Sequence, residues 1–594
     1  MDARSPALSG TFGEIDLAFA DFVRRMDGRD LPEVWLAAAL ASRAVRQGHS
    51  CLDLALASRE GIPDPGGPCP APPSPADWAR VLEKSPMVGA PGDERPLVLT
   101  GGRLYLHRYL EAEENAAKAL SRLLVPAHPQ PDPKSLSRNL RLLFPESQAG
   151  PDWQAAAAAT AALRRLTVVS GGPGTGKTYT VARILALWAL DEHGPRTVAL
   201  AAPTGKAAAR LAESLLAAKG SLPLPAAVTD ALPAQAATLH RLLEGRPGKG
   251  FGRNRANPLA VDAVVVDEAS MVDLDLLAAL LGALPGNARL VLLGDKDQLS
   301  SVAPGAIMGD LCPPGRGNAF SPEFASLLSA ATGADFTPFA QKNAPAMADS
   351  VVILEKSRRF GGALADLARA VRSGDAREAE DILQAGEDGV SFIPLSTPRD
   401  LAAALAPLVE EGFAPYLQEE GPKEAAETFS AFRVLCAVRR GPYGTEEANR
   451  LAERVLTRKG LLDARKPWYE KRPVMIAEND HDLKLYNGDT GIFADGKVWF
   501  GERTFSPLVL PAHETVFAMT VHKSQGSEFS RAAVVLPEDS PAASRQLLYT
   551  AVTRARDGLV VAATRKALTD AVENPVRRTS GLAEALWGRN PAGR

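Results

Sequence analysis

Cysteine is scarce in this chain of 594 residues: Cys51, Cys69, Cys312 and Cys436 lie far apart with no Cys-x-x-Cys pair. That spacing excludes a disulfide framework and the usual zinc patterns, and it fits a reducing, cytoplasmic setting. Long apolar runs are missing too, since no window approaches about 18 uninterrupted strongly apolar residues. The start, MDARSPALSGTFGEID, has no basic run leading into an apolar core. Secretion and membrane insertion are therefore not expected. Charge of one sign is not in excess either: 67 Lys and Arg stand against 70 Asp and Glu, a net charge of −3. This argues against a protein that coats nucleic acid by bulk charge and leaves room for a local basic channel. There is no sustained internal repeat.

What is present is ample material for buried cores, with 45% hydrophobic residues, and length for about four domains at roughly 150 residues each. Residues 1–124 read as a helical amino-terminal domain, because AFADFVRRM and LPEVWLAAALASRAV repeat apolar residues every three or four positions. The Pro-rich VPAHPQPDPK ends it. Beyond it, LTVVSGG, TVALAAPTG, VDAVVVDEA and ARLVLLGD are short strand-forming runs, each succeeded by a turn and a helical pattern. Such alternation predicts an α/β unit with a parallel sheet over 135–345. A second α/β unit is expected over 350–460 plus 513–594, starting at VVILEKSRRF. The Gly-rich and strand-rich 465–512 reads as a small β-barrel-like domain inserted into it.

SGGPGTGKTYT fits the P-loop pattern, with Gly171 and Gly176 bracketing four residues before Lys177 and Thr178. Glycines let backbone N–H groups of Gly172, Gly174, Thr175 and Gly176 approach phosphates, and the helix opening through Tyr179 adds positive potential. Lys177 is expected at the β- and γ-phosphates of ATP, and Thr178 at Mg2+. VVVDEAS ends a second strand with Asp267 and Glu268, one carboxylate for the magnesium shell and one to polarise the attacking water.

Further motifs occur in order along the chain: APTGKAAARL, ATLHRLL, GDKDQLSSV, LEKSRRF, LCAVRRGPYG, RPVMIAENDHDLKLYNGD, MTVHKSQGSEF and LYTAVTRAR. Together with the P-loop they resemble the RecD family, the alpha subunits of exodeoxyribonuclease V among the superfamily one helicases. The likeness is densest from about 150 to 565. It implies two RecA-like motor domains and ATP-driven 5′-to-3′ translocation on single-stranded DNA. It further implies unwinding from duplex ends, and assembly with beta and gamma subunits in bacterial double-strand break repair and recombination. It gives Gln154 the place of an adenine-reading glutamine and Gln298 that of a group coupling γ-phosphate state to the DNA track. Arg554 takes the place of an arginine reaching across the cleft, and Arg359, rather than the adjacent Arg358, that of a second phosphate contact. Gly526 and Glu528 would face the nucleotide. Thr520, His522 and Lys523 would face DNA, as would Thr238 and His240.

The second Thr-Gly-Lys, in APTGKAAARL, is not a second ATP site: Leu200 stands where a glycine is needed, and Ala207 replaces the hydroxyl after Lys206. It still opens a helix at a strand's end, so it favours an anion. The resemblance makes that anion a DNA phosphate, contacted by Pro203, Thr204 and Lys206. No nuclease site is expected, since the Asp-x-Lys triplets at Asp132, Asp482 and Asp495 lack an acidic strand framework. The alternatives are a stand-alone helicase of the same superfamily and a largely structural subunit that clamps DNA.

Overall fold

Three apolar runs, LTVVSG, AVVV and RLVLLG, form strands buried on both faces, as parallel strands covered by crossover helices must be. In the computed structural model, which describes residues 11–62, 71–145, 150–220, 222–246, 248–313, 315, 317–357, 361–480, 482–540 and 542–588, they lie in a six-stranded parallel sheet. Its order is Val351–Leu354, Leu166–Gly171, Arg289–Gly294, Ala263–Val266, Val198–Ala202, Ala236–Thr238. Helices Trp153–Leu163 and Lys177–Leu190 pack together on one face; the alanines of the former are buried all round.

The second sheet is also parallel, ordered Val390–Pro394, Ala555–Ala563, Phe529–Val535, Phe432–Cys436, Ala518–Thr520. Its core includes a cluster of Phe413, Phe429, Phe432 and Phe517. A five-stranded antiparallel sheet is inserted between its strands, running Arg503–Phe505, Lys497–Phe500, Thr490–Ala494, Pro473–Ile476, His513–Thr515. The α/β class with two motor units and an inserted β domain is thus as the sequence implies. Among the described residues no helix is long and apolar enough to cross a membrane.

Three boundaries and the make-up of one domain differ from expectation. Val351–Leu354 does not begin the second unit; it pairs in register with Val168 to Gly171 at the edge of the first sheet. A run such as VVIL suits either sheet, and only register decides. The inserted sheet extends past 512, because His513–Thr515 pairs with Pro473–Ile476. The amino-terminal region is not purely helical. It holds a sheet of Leu52–Asp53, Arg103–Leu106, Leu97–Thr100 and Val88–Gly89, strands too short for a period of two to show.

Finally, the carboxyl end leaves the second unit after helix Arg565–Glu573. Helix Leu582–Trp587 packs on His107–Leu123, Arg578 donates to the carbonyls of Ala303 (3.1 Å) and Gly305 (2.6 Å), and Ser50 N donates to Thr579 O at 3.0 Å. This strap therefore ties the second motor unit to the first and to the amino-terminal domain.

Candidate nucleotide site and nucleic-acid interface

Strand Leu166–Gly171 delivers the chain into a turn in which Gly174 (φ 77°) and Gly176 (φ 83°) adopt left-handed backbone, the conformation glycine allows without penalty. Lys177 opens the next helix and folds back, its Nζ donating to the carbonyls of Gly171 (2.6 Å) and Gly172 (3.2 Å). The turn leaves no space for larger residues. A Cβ on Gly172 would lie 2.7 Å from the Tyr549 hydroxyl, and one on Gly171 2.5 Å from Thr175 Oγ1. Thr175 itself is buried, its Oγ1 donating to Gly172 O at 2.8 Å.

Two strands away, Ala263–Val266 ends at Asp267 and Glu268. Glu268 holds φ 52°, left-handed backbone unusual for a residue with a Cβ, and such strain persists where the surroundings impose it. Asp267 accepts from Glu268 N at 2.9 Å. Burial, then the neighbouring Glu268 carboxylate, push the Asp267 carboxyl up to about 6, against the pull of Lys177.

The second unit closes the site. Arg554, 3% exposed, comes just after helix Arg545–Val552; its Nε donates to Thr550 O (3.1 Å) and its Nη1 to Ser527 O (3.2 Å). Burial pulls this guanidinium below its ordinary range, while Glu268, Asp295 and Tyr549 oppose the shift. A cavity of about 340 Å3 results, walled by Gly174, Gly176, Lys177, Thr178, Tyr179, Asp267, Glu268 and Gln298 from the first unit and Gly526, Glu528 and Arg554 from the second. Most of the nucleotide-site residues named from sequence thus converge. The glycine cradle suits a triphosphate, and the hydroxyl and carboxylate of Thr178 and Asp267 are hard oxygen donors of the kind Mg2+ takes.

Gln154 lies behind the loop rather than along the cavity. Its Nε2 donates to Thr175 O at 2.7 Å, and its Oε1 is buried with no partner among the described residues. Arg359, with Arg358, lies outside the described residues.

Sequence reasoning missed three groups here. Arg210 borders the cavity, donates to Gly526 O at 2.8 Å and pairs with Glu528, whose other oxygen is 3.2 Å from Arg556. Its position four residues after Lys206 puts both on one helix face, a signal that was available. Asp295 accepts from Gln298 Nε2 at 3.0 Å. Tyr549 caps Gly172. From Gln298 the contact continues across the units: Leu299 N donates to Thr550 Oγ1 and Gln525 Nε2 to Leu299 O, each at 3.0 Å.

The residues expected to meet DNA occupy matching places in the two sheets. Thr238 ends the edge strand of the first sheet, beside Ala202 and the adjoining Pro203 and Thr204; Thr520 ends the edge strand of the second, opposite Cys436. Each threonine caps the helical turn that it precedes: Thr204 Oγ1 accepts from Ala207 N (3.2 Å), Thr238 Oγ1 from Arg241 N (3.1 Å) and Thr520 Oγ1 from Lys523 N (3.3 Å). His240 is exposed, its ring 5.8 Å from Phe251 of a hairpin that presents Arg246 and Lys249. His522 is half-buried, and burial, then nearby Arg578, lower its pKa. Lys523 pairs with Glu514 of the inserted sheet at 2.7 Å.

Lys206 meets the second unit: its Nζ donates to Ser527 Oγ at 2.6 Å, and Gly205 lies against the Tyr486 ring of the inserted domain. The helix start that favours an anion thus lies in a three-way junction.

Comparison with known proteins gives three family matches. Residues 9–105 match the RecBCD enzyme subunit RecD, N-terminal domain; 154–304 an AAA domain; and 515–562 a UvrD-like helicase C-terminal domain. The RecBCD enzyme subunit RecD of Mycolicibacterium smegmatis is 39% identical over 94% of this chain and 94% of its own. That of Haemophilus influenzae is 37% identical over 77% of this chain and 75% of its own. The ATP-dependent RecD2 DNA helicase of Deinococcus radiodurans is 30% identical over 77% of this chain and 54% of its own. Among solved structures, a Pif1 helicase from Bacteroides in complex with ADP-AlF3 and ssDNA is 17% identical over 67% of this chain and 88% of its own, with a TM-score of 0.34.

Proposed function

We infer, from the premise that this chain belongs to the RecD family of RecBCD enzyme subunits, that it is an ATP-dependent DNA helicase moving 5′-to-3′ on single-stranded DNA. The observation that carries this reading is the split site: the P-loop and acidic pair lie on one parallel sheet, and a buried arginine from the other faces the same cavity. A site completed only when two units meet links phosphate chemistry to their relative motion.

Each residue has a task in that cycle. Lys177 and the turn amides hold the triphosphate, Glu268 accepts the proton of the attacking water, and Arg554 offsets the charge that develops on the transferred phosphoryl group. Magnesium, held by Thr178 and Asp267, supplies charge neutralisation when bound. Gln298 is placed to transmit the phosphate's presence, because its neighbour Leu299 is hydrogen-bonded to both Thr550 and Gln525 of the second unit. Thr204, Thr238, Thr520 and His522, near the carboxyl ends of the two sheets, are the proposed strand contacts. Alternate grip by the two sets advances the strand.

Partnership with the beta and gamma subunits, in the cytoplasm, is supported by the match to RecBCD subunits over nearly the whole of both chains, against 54% of the longer RecD2 helicase. The test is ATP hydrolysis with and without single-stranded DNA. The intact chain is expected to be stimulated by the strand, and Lys177→Ala to be inert in both conditions. Equal hydrolysis by the variant contradicts the reading.

A further inference from the structure

A second cavity, of about 450 Å3, adjoins the nucleotide site and is walled by both motor units and the inserted sheet. Helix Gly205–Lys219 contributes Lys206 and Arg210, strand Phe432–Cys436 contributes Arg433, and the turn before Phe529–Val535 contributes Ser527 and Glu528. Asp489 enters from the inserted sheet.

Two of these cations make no ion pair among the described residues. Arg433 is 2% exposed; it donates to the carbonyls of Val516 and Phe429, stacks 4.0 Å above the Phe429 ring, and leaves its Nε buried with no partner among the described residues. Among the described residues no carboxylate is in ion-pair range of Arg433 or of Lys206, whose Nζ reaches only Ser527 Oγ, at 2.6 Å. Of the acids on the wall, Glu528 is paired with Arg210 and Arg556, while Asp489, which accepts from the Tyr486 N–H at 2.8 Å, and Glu213 make no ion pair with either cation among the described residues. Burial, and then the charge of Arg433, pull the Lys206 amine down to about 8, with Asp489 opposing the shift; both cations line the same cavity. A buried cation without a counter-charge is costly, and carbonyl dipoles offset only part of that cost. Helix Gly205–Lys219 also starts here, adding positive potential.

We propose that this cavity is a binding site for a phosphoryl oxyanion, held between Lys206 and Arg433 with the Ser527 hydroxyl as a further donor. The site is separate from the P-loop, yet the two cavities share Arg210, Gly526 and Glu528. Phosphate released by hydrolysis and a phosphodiester of the bound strand present the same chemistry to it. Assignment to released phosphate rests on the ATPase reading; the binding itself does not.

The test uses the full chain with magnesium, ADP and beryllium fluoride filling the P-loop, titrated with inorganic phosphate and monitored by calorimetry. Saturable binding of one phosphate is expected, weakened at least about tenfold by Lys206→Gln and by Arg433→Gln. Because Arg433→Gln removes a buried charge and can unfold the chain, Arg433→Lys, which keeps the charge and loses the planar fork, is measured beside it, with melting temperature as the check on folding. Absence of saturable binding, or unchanged affinity in every folded variant, overturns the proposal. In the same experiment, displacement of phosphate by an oligothymidylate assigns the site to the strand, and undiminished binding in its presence assigns it to released phosphate. Failure of the ATPase reading shows separately, as hydrolysis that survives Lys177→Ala.

Discussion

Gly172→Ala probes how closely the two motor units meet at the nucleotide. Gly172 does not have a positive φ, so alanine fits its backbone, but the added Cβ would sit 2.7 Å from the Tyr549 hydroxyl of the opposite unit, with Asp295 Oδ2 3.8 Å away. A contact that short must be relieved, and Tyr549 is buried, with Asp295 close to its hydroxyl, and has little room to retreat. Overpacking of this kind costs about 1–3 kcal/mol, which is roughly 5- to 150-fold in any equilibrium that requires the units together. Steady-state hydrolysis with saturating single-stranded DNA is the assay, and kcat is expected to fall by that factor. Tyr549→Phe removes the oxygen the methyl strikes, so the double variant should recover, with a coupling of at least about 1 kcal/mol in the double-mutant cycle. Wild-type turnover in Gly172→Ala, or additive losses in the double variant, would refute the reasoning.

Arg554→Lys keeps the charge but not the planar fork held by the Thr550 and Ser527 carbonyls; kcat for hydrolysis is expected to fall by about 10³ or more, while nucleotide binding measured by fluorescence changes little. Asp310, buried beside Glu113 and under the carboxyl-terminal strap, has its carboxyl pushed up from 3.8 to about 8 by burial and then by Glu113. The folded chain therefore holds a proton that the unfolded chain has released across that window. Stability should fall as pH rises through it, by up to about 1.4 kcal/mol per unit from this group, and level off above. Asp310→Asn should flatten that slope in urea titrations compared at about pH 5 and about pH 7.5, and an unchanged slope would exclude Asp310 as its source.

What the sequence disclosed was local chemistry. The P-loop is legible because strand, glycine turn and helix are contiguous, and Asp267 and Glu268 because a valine strand points them at one end of a sheet. What it concealed depends on parts distant in the chain. Val351–Leu354 is an apolar run fit for either sheet, and only its pairing with Val168 to Gly171 assigns it. Arg210 shares a helix face with Lys206, a spacing legible in the sequence, but its partner Glu528 arrives only from the other unit. Lys206, expected at a DNA phosphate, is also bonded to Ser527 of the other unit beside the inserted domain, and no spacing within APTGKAAARL signals that contact. Tyr549 over Gly172 and the strap at Arg578 are likewise products of docking between units, where periodicity carries no information.

Unwinding of tailed duplexes tests the central claim most directly. With ATP and magnesium, the chain is expected to unwind a duplex bearing a 5′ single-stranded tail and to leave one with a 3′ tail intact, and Lys177→Ala to unwind neither. Unwinding of the 3′-tailed duplex alone would contradict the assigned direction, and equal unwinding by the variant would contradict an ATP-driven motor.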